Sequence, residues 1–256
     1  ENINTLAVTQ GPGLMAALHV GVETAKALAY AWEKPIIPIN HMEGHIYSSL
    51  ASEKKIDFPI LALLVSGGHT QLVLMRKHGE YDIIGETMDD AVGEAFDKVA
   101  KMLDLPYPGG PSIETTAQSG NAEAIDFPRP MLDSTDFNFS FSGLKTAVLY
   151  YIKDNPSYNK NDVAASFQAA AIDVLIKKTK KAIKKHSPHI VIVGGGVAAN
   201  SLLRKNLHNL AKEQKIELRV PREKTSADNA AMIGIAAMFK KPTKKSFIAN
   251  PNLSLK

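Results

Sequence analysis

The chain has 256 residues, 45% of them hydrophobic and 22% charged, with a formal net charge of +4 and no cysteine. That length supports one large domain or two lobes around a well-buried core. The lack of cysteine excludes disulfides, cysteine zinc sites and thiol catalysis, no apolar run approaches a membrane span, and mild basicity permits a nucleic-acid partner without requiring one.

The opening ENINTLAVTQ has neither the basic start nor the apolar segment of a secretion signal. Thr5 to Thr9 already reads as a buried strand, so the expectation is a chain that begins inside a longer protein. A Gly-Pro-Gly turn and a long helix through Trp32 follow. Gly11 to Ala16 formally matches the G-x-G-x-x-G/A dinucleotide fingerprint, which also wants a carboxylate at the end of the next strand. That strand, Pro35 to Ile39, ends in Asn40-His41. The turn is therefore read as one that lets a helix pack closely on its strand.

His41-Met42-Glu43-Gly44-His45 comes next. Two histidines four apart share a helix face and can bind one transition metal; the alternative is a solvated or core-capping pair. In the H-E-x-x-H protease signature the glutamate directly follows the first histidine. Glu43 stands one place later, roughly 200° round the helix from His41, so a protease reading fails on its base. The pair lies at a strand's carboxyl end, where open α/β sheets bind ligands. Ser52 to Asp57 reads as a polar connection between lobes.

Phe58 to Val65, Ser66-Gly67-Gly68-His69-Thr70 and Gln71 to Met75 read as a hairpin with a glycine-rich turn. Its amides can form an anion-binding nest, or the turn can be a plain one. Tyr81 to Gly85 is the next strand. Asp89 to Leu103 is an amphipathic helix whose Asp90, Glu94 and Asp97 make an acidic stripe. Tyr107 to Glu114 is so rich in Gly and Pro that it reads as a rigid turn. Asn161 to Lys185 is a long helix. Its Lys177, Lys178, Lys180, Lys181, Lys184 and Lys185 are either solvated charges near a helix C-terminus or a phosphate-backbone footprint. Strand His189 to Val193, the turn Gly194 to Asn200 and helix Ser201 to Lys212 offer a second close-approach site for a nucleotide. After a short strand, Glu217 to Val220, Asp228 stands at or beside the start of helix Ala230 to Phe239, as cap, ligand or both. The tail from Lys240 reads as irregular.

Taken together these pieces resemble the TsaD family of tRNA threonylcarbamoyladenosine transferases. The matching stretches run in order: GPGL from Gly11, HMEGH from His41, LLVSGGHTQL from Leu63, GEAFDKVAKML from Gly93, YPGGPSIE from Tyr107, FSFSGLKTAV from Phe139, GGVAAN from Gly195 and DNAAMIG from Asp228. The resemblance implies a two-lobed α/β fold of the actin, Hsp70 and sugar-kinase (ASKHA) type, with the first lobe lacking its opening strands. Residues 1–57 would be the remainder of the first lobe with the metal helix. Residues 58–256 would be the second lobe, with a helical insertion at about 89–150 and a final helix, about 228–239, returning to the cleft.

The implied reaction moves a threonylcarbamoyl group from threonylcarbamoyl-AMP to N6 of the adenosine beside the anticodon, in tRNAs reading codons that begin with A. His41, His45 and Asp228 would hold a divalent iron or zinc ion. Leu64, Val65, Ser66, Gly67, Gly68, Asp97, Gly110, Glu114 and Asn200 would hold the adenylate. No catalytic base is identifiable, His69 being the one candidate. Expected partners are tRNA and, for a bacterial protein, TsaB-like and TsaE-like subunits, with a cytoplasmic location or, for an organellar protein, the mitochondrial matrix. The fold alone also permits an ATPase, a kinase or a non-catalytic subunit.

Overall fold

A computed structural model describes residues 3–50, 55–221, 227–243 and 246–255. Two parallel strands, β1 (Leu6–Gly11) and β2 (Ile36–Asn40), form a small sheet joined by helix α1 (Met15–Ala31). Helix α2 (His41–Ser48) leaves β2 without a linker. A five-stranded sheet follows: β3 (Ile60–Val65), β4 (Thr70–Lys77), β5 (Glu80–Glu86), β6 (Ile190–Gly194) and β7 (Glu217–Arg219). Its order is β5-β4-β3-β6-β7, with β3 antiparallel to β4 and parallel to β6. The remaining helices are α3 (Val92–Met102), α4 (Gly109–Ala117), α5 (Ser142–Asp154), α6 (Lys160–His186), α7 (Ser201–Gln214) and α8 (Ala230–Ala237).

Strand β3 reads ILALLV with every residue buried, the continuous apolar run expected when both faces of a sheet are covered. Side chains alternate between faces. Leu61, Leu63 and Val65 join a core with α3 to α7, while Ile60, Ala62 and Leu64 join a second core with Met42, Ile46 and Tyr47 of α2 and Met232 and Ile233 of α8. The histidine helix is thus part of the five-stranded sheet's own packing.

Two expectations are corrected, and a third, the irregular tail, holds with an addition. The stretch from Tyr107 is not a turn throughout, because α4 begins at Gly109. Prolines fit a helix's first turn, whose N–H groups have no intrahelical acceptor, and Asp97 Oδ1 accepts the Gly109 amide at 2.7 Å. Helix α3 starts at Val92, so Asp90 lies ahead of it and pairs with Lys98 and Lys145, each at 2.7 Å. The tail has no regular element yet is docked, with Ala249 and Leu255 buried. Of the polar connection at 52–57, residues 52–54 lie outside the described residues.

Candidate metal centre and nucleotide pocket

The capping box built by Asn40 starts α2 at His41. Asn40 Oδ1 accepts the Met42 amide at 2.8 Å, and Glu43 Oε2 accepts the Asn40 amide at 3.3 Å. Glu43 is buried and also pairs with Lys240, so it serves the helix end and does not face the histidines. One turn on, Ser49 Oγ donates to Val193 O at 2.8 Å and ties α2 to β6.

His41 and His45 then project together. Their Nε2 atoms lie 3.2 Å apart, and each lies 3.2 Å from Asp228 Oδ1. Asp228 is not the cap of α8: Asn229 is, its side chain accepting the Met232 amide at 3.0 Å. That leaves the Asp228 carboxylate to face the imidazoles. Hydrogen bonds from His41 and then His45 hold its carboxyl well below the usual carboxylate range.

Two imidazole nitrogens and one carboxylate oxygen form a donor set suited to a transition metal. Their 3.2 Å separations match the spacing of about 3.0–3.4 Å between ligands bound at roughly 2.0–2.1 Å. His45 is 1% exposed, and its Nδ1 is buried without a hydrogen-bond partner among the described residues, so Nε2 is the engaged nitrogen.

A cleft of about 950 Å³ opens on this triad, lined by His41, Asp228, Ser66, Gly67, Gly68 and His69 on one side. Its other wall comes from Val8, Pro12, Gly13, Ala17, Gly21 and Pro251. The loop's polar residues divide their labour. Ser66 Oγ accepts the His69 amide at 3.1 Å and closes the turn, while Thr70 Oγ1 accepts the Val92 amide at 2.8 Å and caps α3. His69 remains to face the cleft. Burial first, then the neighbouring His41 and His45, push its imidazole below its ordinary value. The amides of Gly67 and Gly68 meet no protein acceptor among the described residues, as an anion-binding loop requires.

Gly67 also borders a second cavity of about 300 Å³, with Asp97, Gly110, Glu114, Gly196 and Asn200. Backbone crowding brings these segments together. Gly195 has φ +94°, and a Cβ there would stand 2.3 Å from Val65 O; a Cβ at Gly93 would stand 2.5 Å from Ser66 O. Asn200 is the buried N-cap of α7, accepting from Leu203 N at 3.0 Å and donating to Gln168 Oε1 at 2.8 Å. Glu114 Oε1 accepts the Ser201 amide at 2.8 Å. Side chains therefore occupy α7's N-terminal amides, and the pocket presents carboxylates there instead of a free anion site.

Leu64 and Val65 line neither cavity; both are fully buried in β3, facing opposite cores. The α6 lysines are largely committed internally. Lys177 pairs with Asp173 and Lys180 with Glu213, while Lys178 donates to Ser134 Oγ and Lys181 to the Ser134 carbonyl. Four of the six lysines thus have hydrogen-bond or ion-pair partners within the chain. Pro251, which lines the cleft, and Gln168, which holds Asn200, are residues that pattern reading misses. Gln168 sits in a long helix with no local signal, whereas the turn-forming Asn250-Pro251-Asn252 followed by alternating Leu253 and Leu255 could have flagged a docked tail.

No helix among the described residues is long and apolar enough to cross a membrane. In overall shape the chain is similar to the crystal structure of T. kodakarensis HypF, with a TM-score of 0.71 at 14% identity, covering 93% of this chain and 40% of that one. A full-length HypF structure in a phosphate- and nucleotide-bound form gives 0.68 at 13% identity, covering 92% of this chain and 46% of that one. At such identities the likeness is one of fold, and it bears out the mixed α/β expectation. Proteins named tRNA N6-adenosine threonylcarbamoyltransferase are much nearer in sequence. That of Endomicrobium trichonymphae is 48% identical over all of this chain and 75% of its own length. That of Geotalea uraniireducens is 52% identical over 91% of this chain and 69% of its own, and that of Thermosipho africanus 44% over 100% and 79%. The family model for TsaD, tRNA N6-adenosine threonylcarbamoyltransferase, matches residues 1–235. The chain belongs to the TsaD family of tRNA-modifying transferases.

Proposed function

We propose that this chain transfers the threonylcarbamoyl group of threonylcarbamoyl-AMP to N6 of the adenosine beside the anticodon, in tRNAs reading codons that begin with A. The observation that carries the reading is the sharing of Gly67 by the cleft that holds His41 and Asp228 and by the pocket that holds Asp97 and Glu114. A donor with a nucleoside at one end and a reactive carbonyl at the other fits two recesses joined at a side-chain-free loop.

The N6 lone pair attacks the carbamoyl carbon, the bond from that carbon to the phosphate oxygen breaks, AMP leaves with the electron pair, and N6 gives up a proton. Asp97 and Glu114 are acceptors suited to the sugar hydroxyls, and their charge turns the phosphate towards the Gly67 and Gly68 amides. There the leaving group's charge meets fixed N–H donors. His69 lines the cleft, and burial pushes its imidazole below its ordinary value; we assign it to receive the proton. His41, His45 and Asp228 would hold an iron or zinc ion, which when bound supplies Lewis acidity towards a carbonyl or phosphoryl oxygen.

For a protein partner, which we assign to the TsaB-like kind, the feature on offer is the apolar exposure of α1, where Val20 is 68% and Tyr30 89% exposed. An ATPase or kinase reading rests on fold alone, and steady ATP turnover without tRNA or adenylate would favour it. The deciding experiment is threonylcarbamoyl transfer to unmodified tRNA by the full chain with its partners. His41→Ala and Glu114→Gln should each lose activity, and full activity in both would overturn the assignment.

A further inference from the structure

Residues 246–255 lie beyond the span that the family model matches, yet they bind the carboxyl ends of both strands of the small sheet. Asn250 N donates to Gln10 O at 2.8 Å, Gln10 Nε2 to Ile248 O at 3.0 Å, and Gly13 N to Pro251 O at 3.3 Å. Asn40 Nδ2 then donates to Leu253 O at 3.2 Å, and Leu255 is buried in the core that contains Met42 and Ile46. Gly11 is shaped for this segment: a Cβ there would stand 1.8 Å from Asn250 O, with φ already at +158°. The glycine that resembles part of a dinucleotide fingerprint is the seat of the C-terminal segment.

The two ligands on α2 are not held alike. His45 sits 1% exposed on the second turn, which is anchored through Ser49 to β6. His41 is the first helical residue, and its direction follows from the cap, Asn40. One amide orientation lets Asn40 offer Oδ1 to Met42 N and Nδ2 to Leu253 O together. The Leu253 carbonyl therefore selects the cap's rotamer, and the cap sets the first turn.

We propose that residues 248–255 form a strap that positions His41 for metal binding, acting through Asn40. The inference rests on the triad being a metal centre. Asn40 is a positioning residue, comparable to the outer partners that orient ligands in other metal sites.

The test is Co2+ titration of the full chain by calorimetry, with thermal melting in parallel. Asn40→Ser keeps a cap acceptor and removes the amide donor. Gly11→Ala drives a Cβ into Asn250 O, and truncation after Ala249 removes most of the strap itself. Each should weaken Co2+ binding by about ten- to a hundredfold. Unchanged affinity, within about twofold, in Asn40→Ser and Gly11→Ala would overturn the strap even where melting temperature falls. Those two variants decide the matter where the truncated chain does not fold. No Co2+ binding by the unaltered chain would instead remove the metal centre, and the strap with it.

Discussion

Asn229 caps the last helix, and Asp228 does not. Had Asp228 taken the cap, its carboxylate would be committed to backbone amides; instead it lies 3.2 Å from the Nε2 atoms of both His41 and His45. Asp228→Asn should keep the fold, because the side chain is exposed and the cap is intact. It should lower Co2+ or Zn2+ affinity by at least about tenfold, measured by titration against a melting curve that barely moves.

Glu114 gives a second, separable prediction. Its Oε1 accepts the Ser201 amide, a bond that a glutamine oxygen can keep, so Glu114→Gln removes charge and little else. AMP binding should weaken by about 1.5–3 kcal/mol, roughly ten- to a hundredfold, as a charge-assisted hydrogen bond to a sugar hydroxyl is lost. Calorimetry with AMP checks this, and metal affinity should be unchanged.

Glycine at 195 is a requirement of the backbone. Its φ of +94° and the 2.3 Å approach of a Cβ to Val65 O predict that Gly195→Ala costs about 2 kcal/mol or more in urea unfolding. Gly196→Ala is the control, since a Cβ there meets nothing within 4 Å.

Tyr81 supplies a pH prediction. Its side chain is buried beside Tyr47 and Glu43. Burial first, then the Glu43 charge and Tyr47, push its ionisation far above the ordinary phenol value of 10.0. A group whose folded pKa is raised contributes stability below its unfolded pKa and loses it as pH rises beyond that value. Stability should therefore fall above about pH 10, and Tyr81→Phe should flatten that fall. Urea midpoints for the two chains at pH 8 and above pH 10 check this.

What could be read in the sequence is what short-range periodicity carries. The apolar run of β3 announces a doubly covered strand, and His41-x-x-x-His45 announces a shared helix face because one helix turn fixes both. The motif order carries Asp97, Gly110, Glu114 and Asn200 to one pocket. What could not be read depends on distant partners. Helix α4 starts early because Asp97 supplies an acceptor from another helix. Thr70 looks like loop chemistry and is a cap for α3. The lysines of α6 look like a basic face and are bound by Asp173, Glu213 and the 134–136 segment. Asp228 and Asn229 are both good caps, and only their packing decides which acts as one.

The placement of α2 has a mechanical consequence. Because Met42, Ile46 and Tyr47 share a core with β3, β4 and β6, the imidazoles and the Gly67 loop ride on one slab. The opposite bank of the cleft, from Pro12 to Gly21, belongs to β1 and α1. Strain applied to that bank alters how a substrate enters. It reaches the imidazoles only where the C-terminal segment ties Gln10 to the Asn40 cap, so the span from His45 to the second cavity stays as the slab sets it.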